Sequence, residues 1–130
     1  MKYLVDSDFL ISFASDEDSN HLRSLNIYKN LKKDTELLAL NLVFQESTTV
    51  ISKRFGMNQA KIFYVMVNKF INTRILLDEI LEKEIWKIFL NQTKKGTSFI
   101  DCANLAVYQK FKLDGILSFD DFYPKEVRIS

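Results

Sequence analysis

The sequence has few of the residues that mark disulfide-bonded or zinc-binding proteins. It contains one cysteine, one histidine, one proline and three glycines among 130 residues. The lone cysteine, Cys102, excludes an internal disulfide, and no second cysteine completes a zinc pattern. Glycine and proline are the residues that most often interrupt regular structure. Their scarcity therefore predicts helices and strands joined by short connections.

Long apolar runs and a strong charge imbalance are also missing. The longest apolar run, at residues 62–67, is too short for the roughly 20 residues that span a bilayer. The opening residues reach Asp6 before they form the apolar core of a signal peptide. These features predict a cytoplasmic protein without a membrane segment. The net charge is only +1, so composition neither favours nor excludes a nucleic-acid partner.

The chain does have the size and apolar content of one globular domain. Its residues are 47% hydrophobic and 27% charged, which is ordinary for a soluble protein. A chain of this length can bury well over half of its unfolded surface without help from a metal or a disulfide. We therefore expect a single domain over residues 1–130.

Short apolar segments alternate with segments of helical periodicity. Strands are predicted at Lys2–Val5, Leu37–Leu40, Ile75–Leu77 and Gly115–Ser118, with a last edge strand at Glu126–Ile129. Helices are predicted at Phe9–Phe13 (capped by Ser7 or Asp8), at about residues 20–32, after Asn41 to about Gly56, after Asn58 to about Ile71, from Asp78, and from Ser98 to about Phe111. This alternation predicts an α/β fold with a central, mostly parallel sheet covered on both faces.

Four acidic residues occupy positions that this fold would bring together. Asp6 ends the first strand, and Asp120 lies just beyond the Gly115–Ser118 strand. Asp101 lies in the first turn of the helix that opens at Ser98, and Glu46 lies a turn or so into the helix after the second strand. Sites in open parallel sheets form at the carboxyl ends of the strands. We therefore expect the four carboxylates at one edge of the sheet.

Each acid also has an ordinary interpretation: a helix cap or turn at Asp6, a capping box at Ser98 and Asp101, a turn before Pro124 at Asp120, and a solvated helix face at Glu46. Together they are harder to dismiss. Two carboxylates 4 Å apart repel by roughly 4 kcal/mol at an effective dielectric near 20, so a cluster needs protons or a cation. Oxygen ligands without histidine or cysteine favour Mg²⁺ or Mn²⁺, which can activate water against a phosphodiester.

At these positions the sequence resembles the PIN-domain nucleases over nearly its whole length. The segments that carry the resemblance are YLVDSDFLISF, NLVFQESTTVISKRFG and TSFIDCANLAVYQKFKLDGILSFDDF. They resemble the family's aspartate after the first strand, its glutamate within a helix, its Ser-Phe-x-Asp helix start, and its closing strand followed by Ser-x-Asp. The chain length resembles that of VapC-type toxins from bacterial and archaeal toxin–antitoxin pairs.

The resemblance implies a PIN-like three-layer α/β/α sandwich and a metal-dependent endoribonuclease. Asp6, Glu46, Asp101 and Asp120 match the acidic quartet, and Asp6, Asp101 and Asp120 would be the ligands of Mg²⁺ or Mn²⁺. The implied reaction is hydrolysis of RNA with water as the nucleophile. The implied partners are a cognate antitoxin and a second copy of the chain in a homodimer.

Accessory residues are expected beside this quartet. Ser7 and Ser118 match hydroxyl residues next to the first and last acids of the family. Asn104 follows Asp101 by one helical turn, so it either orients water or substrate or is an ordinary surface residue. Asp121 remains an alternative to Asp120 as the closing ligand. We favour a helix start over a functional role for the segment from Asp18 to His21.

Three other functions compete with the ribonuclease. A phosphoacceptor receiver domain also binds Mg²⁺, but it needs an aspartate after a central strand, where this chain has Asn41. A PIN fold without catalysis would serve as an interaction module. A DNA substrate ranks below RNA, since no strongly basic stripe is present. The aromatic residues Phe44, Phe55, Phe63, Tyr64 and Phe70 are better explained by core packing or a dimer face around residues 55–70 than by base stacking.

Overall fold

A five-stranded parallel sheet forms the centre of the computed structural model, which describes residues 1–130. Its strands are β1 (Lys2–Val5), β2 (Glu36–Leu40), β3 (Thr73–Ile75), β4 (Gly115–Leu117) and β5 (Arg128–Ile129). They lie in the order β3-β2-β1-β4-β5, and all four pairings are parallel. The predicted parallel sheet is therefore confirmed.

Six helices form the layers on either side of the sheet: α1 (Ser7–Ala14), α2 (His21–Lys29), α3 (Asn41–Phe55), α4 (Met57–Phe70), α5 (Glu79–Leu90) and α6 (Phe99–Lys110). Helices α1 to α4 pack on one another, and α5 packs on α6. This arrangement confirms the predicted α/β/α sandwich. None of the helices combines the length and apolar composition that crossing a membrane requires.

The hydrophobic core lies around the three central strands. Leu4, Val5, Leu40, Ile116 and Leu117 are fully buried, because β1, β2 and β4 have helices over both faces. Register places Val5 of β1 beside Leu117 of β4. The residues that follow these two positions therefore emerge side by side at the carboxyl edge of the sheet.

Three predicted helix caps are wrong. Helix α1 is capped by Asp6, whose carboxylate accepts a hydrogen bond from the Ser7 amide, so neither Ser7 nor Asp8 is the cap. Asn41 is the first residue of α3 and follows Leu40 directly, because β2 runs into the helix without a loop. Asn58 lies inside α4, which begins after Gly56. The φ angle of 93° at Gly56 suits glycine and turns the chain between the two helices without a polar cap.

The position of the third strand was also predicted incorrectly. The apolar residues Ile75–Leu77 indicated a strand, but β3 covers Thr73–Ile75 and pairs with residues 38–40 of β2. Leu76 lies beyond the strand and is 73% exposed. Because β3 is an edge strand, its polar residues face solvent, and apolar content was the wrong guide. The last strand is shorter than predicted and contains only Arg128 and Ile129.

Candidate metal centre

Three carboxylates converge at the carboxyl edge of the sheet. Asp6 follows β1, Asp120 lies in the segment after β4, and Asp101 lies in the first turn of α6. One carboxylate oxygen from each residue lies within 4.8 Å of the other two. The structure thus brings together three of the four acids that the sequence singled out.

Asp6 is the most deeply buried of the three, with 5% exposure. Its Oδ1 accepts hydrogen bonds from the Ser7 amide at 2.8 Å and from Asn104 Nδ2 at 3.0 Å, and its Oδ2 accepts one from Ser118 Oγ at 2.9 Å. Even so, burial and the neighbouring charges of Asp8 and Asp101 raise the pKa of Asp6 to about 7. The hydrogen bonds therefore do not fully compensate the buried charge, and a cation would do so.

The segment after β4 separates Asp120 from Asp121. The Asp120 amide donates to Ser118 Oγ at 3.0 Å, and Asp120 Oδ1 accepts from the Phe122 amide at 2.9 Å. This tight turn holds Asp120 in the cluster. The side chain of Asp121 is 89% exposed, and its Oδ1 lies 2.8 Å from Arg128 Nη1. The geometry therefore favours Asp120 as the closing acid.

Asp101 combines a helix-start position with a place in the cluster. Its backbone amide donates to Ser98 Oγ at 3.0 Å, so Ser98 is the cap of α6. Its half-buried carboxylate has a raised pKa, because burial and the nearby charge of Asp120 disfavour ionisation. Hydrogen bonds from Ser98 to the Asp101 carboxylate partly oppose this rise, as the capping-box interpretation implies. The same carboxylate also offers an oxygen to the cluster.

Glu46 lies at the rim of the acidic cluster. Its side chain is exposed, and its Oε2 accepts a hydrogen bond of 2.6 Å from Ser7 Oγ. It does not belong to the group of three convergent oxygens, although its charge contributes to the raised pKa of Asp101. Ser7 therefore links the rim acid to α1, the helix that Asp6 caps.

Asp8 has a larger part in the site than its sequence position indicated. Its Oδ2 accepts from the Phe119 amide at 2.9 Å, and its carboxylate lies 3.3 Å and 3.4 Å from Ser118 Oγ. Burial is the main cause that raises the pKa of Asp8 to about 6. Asp8 thus fixes the backbone of the residue immediately before Asp120.

Asn104 and Tyr123 form a buried pair behind the carboxylates. Asn104 is fully buried, so its interpretation as a surface residue is wrong. Its Nδ2 donates to Asp6 and also lies 3.1 Å from Tyr123 Oη, which is 3.5 Å from Asp101 Oδ1. Burial and the charge of Asp6 raise the pKa of Tyr123 well above its usual range, so its hydroxyl keeps its proton.

The segment from Asp18 to His21 lies outside the cluster. Asp18 accepts from the Asn20 amide at 2.9 Å, and α2 begins at His21. The His21 Nδ1 lies 2.8 Å from the carbonyl oxygen of Ser12. These contacts agree with the helix-start interpretation.

The residues present fit a hard divalent cation. The converging atoms of Asp6, Asp101 and Asp120 are carboxylate oxygens, and neither histidine nor cysteine belongs to the group. Such a donor set suits Mg²⁺ or Mn²⁺. Burial, followed by the charge of Asp8, keeps the pKa of Asp6 raised despite its hydrogen bonds, and a cation would favour the ionised form.

Comparison with known proteins supports the fold. No protein-family model and no curated protein matches the chain. Among solved structures, the chain is similar to VapC20 of Mycobacterium tuberculosis, described as a toxin that cleaves the sarcin–ricin loop. The TM-score is 0.82 at 19% sequence identity, and the match covers 92% of this chain and 90% of that chain. The likeness shows that this chain has the fold of a VapC-type PIN domain.

Proposed function

We propose that this protein is an endoribonuclease that depends on Mg²⁺ or Mn²⁺. The observation that carries the proposal is the convergence of Asp6, Asp101 and Asp120 within 4.8 Å on a fold shared with an RNA-cleaving toxin. A divalent ion bound there would stabilise charge on the phosphodiester and make water a stronger nucleophile.

The residues around the cluster have separate roles in this proposal. Asp6, Asp101 and Asp120 hold the ion. Ser118 and Asn104 orient the Asp6 carboxylate through their hydrogen bonds to its two oxygens. Glu46 has one oxygen held by Ser7, which leaves Oε1 to orient or deprotonate a water at the rim.

RNA is the substrate class that we propose. The acidic cluster repels phosphates, so productive binding needs cations nearby. We propose Arg23 as such a cation. Its guanidinium carbon lies 5.0 Å from the centre of the ring of Phe119, the residue that precedes Asp120 in the sequence. By the same likeness to VapC20, we propose that the protein is the toxin of a toxin–antitoxin pair, bound by a cognate antitoxin, and that it forms a homodimer and acts in the cytoplasm.

The direct test is cleavage of total RNA by the purified protein with Mg²⁺ or Mn²⁺. We expect EDTA to abolish cleavage. Asp101→Asn should slow it by at least about 100-fold, comparable to losing one group that stabilises a transition state. The matched control is Asp34→Asn, which neutralises an exposed acid before β2 and should leave the rate unchanged. Sequencing of the new RNA ends would identify the substrate.

The opposite outcome is equally informative. If the unaltered protein cleaves none of several RNAs in either metal, the endoribonuclease proposal fails. The chain would then be better described as a PIN-fold interaction module.

A further inference from the structure

A chain of hydrogen bonds joins two of the three clustered carboxylates behind the site. The Asn104 amide nitrogen donates one N–H to Asp6 Oδ1 at 3.0 Å and directs the other to Tyr123 Oη at 3.1 Å. The Tyr123 hydroxyl then faces Asp101 Oδ1 at 3.5 Å, where it is the donor. The direction of donation therefore runs from Asn104 outward to both acids.

The orientation of the Asn104 amide follows from its partners. In the ionised form that holds a cation, the Asp6 carboxylate only accepts hydrogen bonds, so the amide presents nitrogen to it. That choice leaves Asn104 Oδ1 buried without a hydrogen-bond partner. A buried acceptor without a partner is costly, so packing alone does not explain why an asparagine lies here. The two hydrogen bonds that its nitrogen donates, to Asp6 and to Tyr123, do explain it.

The Tyr123 hydroxyl lies between Asn104 and Asp101. Tyr123 is buried, with 1% exposure, and lies in the same segment as Asp120, three residues further on. Its ring packs edge-on against Phe122 at 5.2 Å between centroids. A phenylalanine would fill the same space, so the hydroxyl is needed only for its polar contacts.

We propose that Tyr123 is a positioning residue, whose hydroxyl acts with Asn104 to hold Asp101 and Asp6 at the separation that a divalent ion requires. This inference rests on the proposed metal-dependent function. Groups that hydrogen-bond to metal ligands fix their orientation, and losing one typically costs 10-fold to 100-fold in metal affinity or activity.

The test is Tyr123→Phe in the full chain, with Mn²⁺ affinity measured by calorimetry and RNA cleavage measured in parallel. We expect Mn²⁺ to bind roughly 10-fold to 100-fold more weakly. At saturating Mn²⁺, kcat should fall while KM for RNA stays the same. The matched control is Tyr108→Phe, since Tyr108 is a half-buried tyrosine of α6 whose hydroxyl has no hydrogen bond in the structure. It should bind Mn²⁺ like the parent.

A second variant tests whether Tyr123 and Asn104 act together. Asn104→Ala breaks the same chain of hydrogen bonds from its other end. If the two residues act together, the double variant binds Mn²⁺ little more weakly than the weaker single variant. Additive losses, or parental Mn²⁺ affinity in Tyr123→Phe, would overturn the inference. Mn²⁺ binding without any RNA cleavage would overturn the endoribonuclease proposal alone, because the positioning role is then still decided by calorimetry.

Discussion

Asp6 and Asp8 lose most of their contact with solvent when the protein folds. Burial is the main cause that raises their pKa values from 3.8 to about 7 and about 6. Between these limits the folded, metal-free protein binds more protons than the unfolded chain. Linkage then requires that the free energy of unfolding decreases as the pH rises through this range.

Urea denaturation in EDTA at about pH 5 and about pH 7.5 measures this effect. One pKa unit corresponds to about 1.4 kcal/mol. We therefore expect the free energy of unfolding of the metal-free protein to be roughly 2–4 kcal/mol lower at the higher pH. Asp6→Asn should remove most of this dependence, because an amide does not titrate. Asp121→Asn is the control, as it changes an exposed acid. If Asp6→Asn leaves the pH dependence of the free energy of unfolding unchanged, Asp6 does not have a raised pKa in the folded protein.

The three clustered acids were predictable from the sequence, and so were Ser118 and Asn104 beside them, whereas the parts that Asp8 and Tyr123 take were not. Asp6 and Asp120 follow buried strands, and Asp101 follows a capping serine, so local patterns locate all three. The roles of Asp8 and Tyr123 depend on partners more than 20 residues away. Tyr123 stands beside Phe122 in the sequence and looks like another core aromatic.

Strand β4 approaches β5 closely at Gly115, where a side chain would be crowded. A Cβ atom on Gly115 would lie 2.8 Å from Ile129 Cδ1 and 3.1 Å from the carbonyl oxygen of Val127. The Ile129 side chain can move, but the Val127 carbonyl belongs to the backbone. Because β4 leads directly to Ser118 and Asp120, a displacement of this strand is transmitted to the site.

We therefore expect Gly115→Ala to destabilise the protein by about 1–3 kcal/mol, the usual cost of overpacking a core. Adding Ile129→Val removes the nearest atom and should recover part of the loss. Thermal denaturation of the two variants, with Ile129→Val alone as the reference, measures the stability lost in Gly115→Ala and the part recovered in the double variant. No recovery in the double variant would assign the strain to the Val127 carbonyl.

Helix and strand boundaries were less predictable than the elements themselves. Asparagine favours caps in general, yet Asn41 and Asn58 lie inside helices because the chain enters α3 directly from β2 and enters α4 through Gly56. Strand β3 is polar because it pairs on one side only. In each case a neighbouring element overrides a local preference.

Helix α4 exposes apolar residues that are candidates for the proposed dimer face. Ile62, Tyr64 and Val65 expose 61%, 54% and 53% of their surfaces, within the region of residues 55–70 where a dimer face was predicted. Apolar side chains in contiguous exposed positions commonly mark a protein interface.

Sedimentation velocity at micromolar concentration tests the proposed dimer. We expect the unaltered chain to sediment as a dimer and Val65→Glu to shift it to a monomer, because a charge buried at an interface is costly. Leu90→Glu makes the same change on α5, where Leu90 is 74% exposed, and should leave the dimer intact. If Leu90→Glu dissociates the dimer instead, the interface lies on α5.

The fold class was predictable because alternating strands and helices permit few arrangements. The order of the strands was not predicted, since β1 pairs with β4 across more than 110 residues of chain. Local sequence carries no signal for such a pairing.

The insertion of β4 beside β1 also determines when the acidic cluster can form during synthesis. The ribosome makes Asp6 first, and Ser118, which holds its carboxylate, follows 112 residues later. Until β4 arrives, one side of β1 has no partner, and the nascent chain still lacks Asp120, the last of its three clustered acids. Translation must therefore pass Asp120 before the proposed nuclease centre can exist, and a chain interrupted before that point lacks the proposed centre.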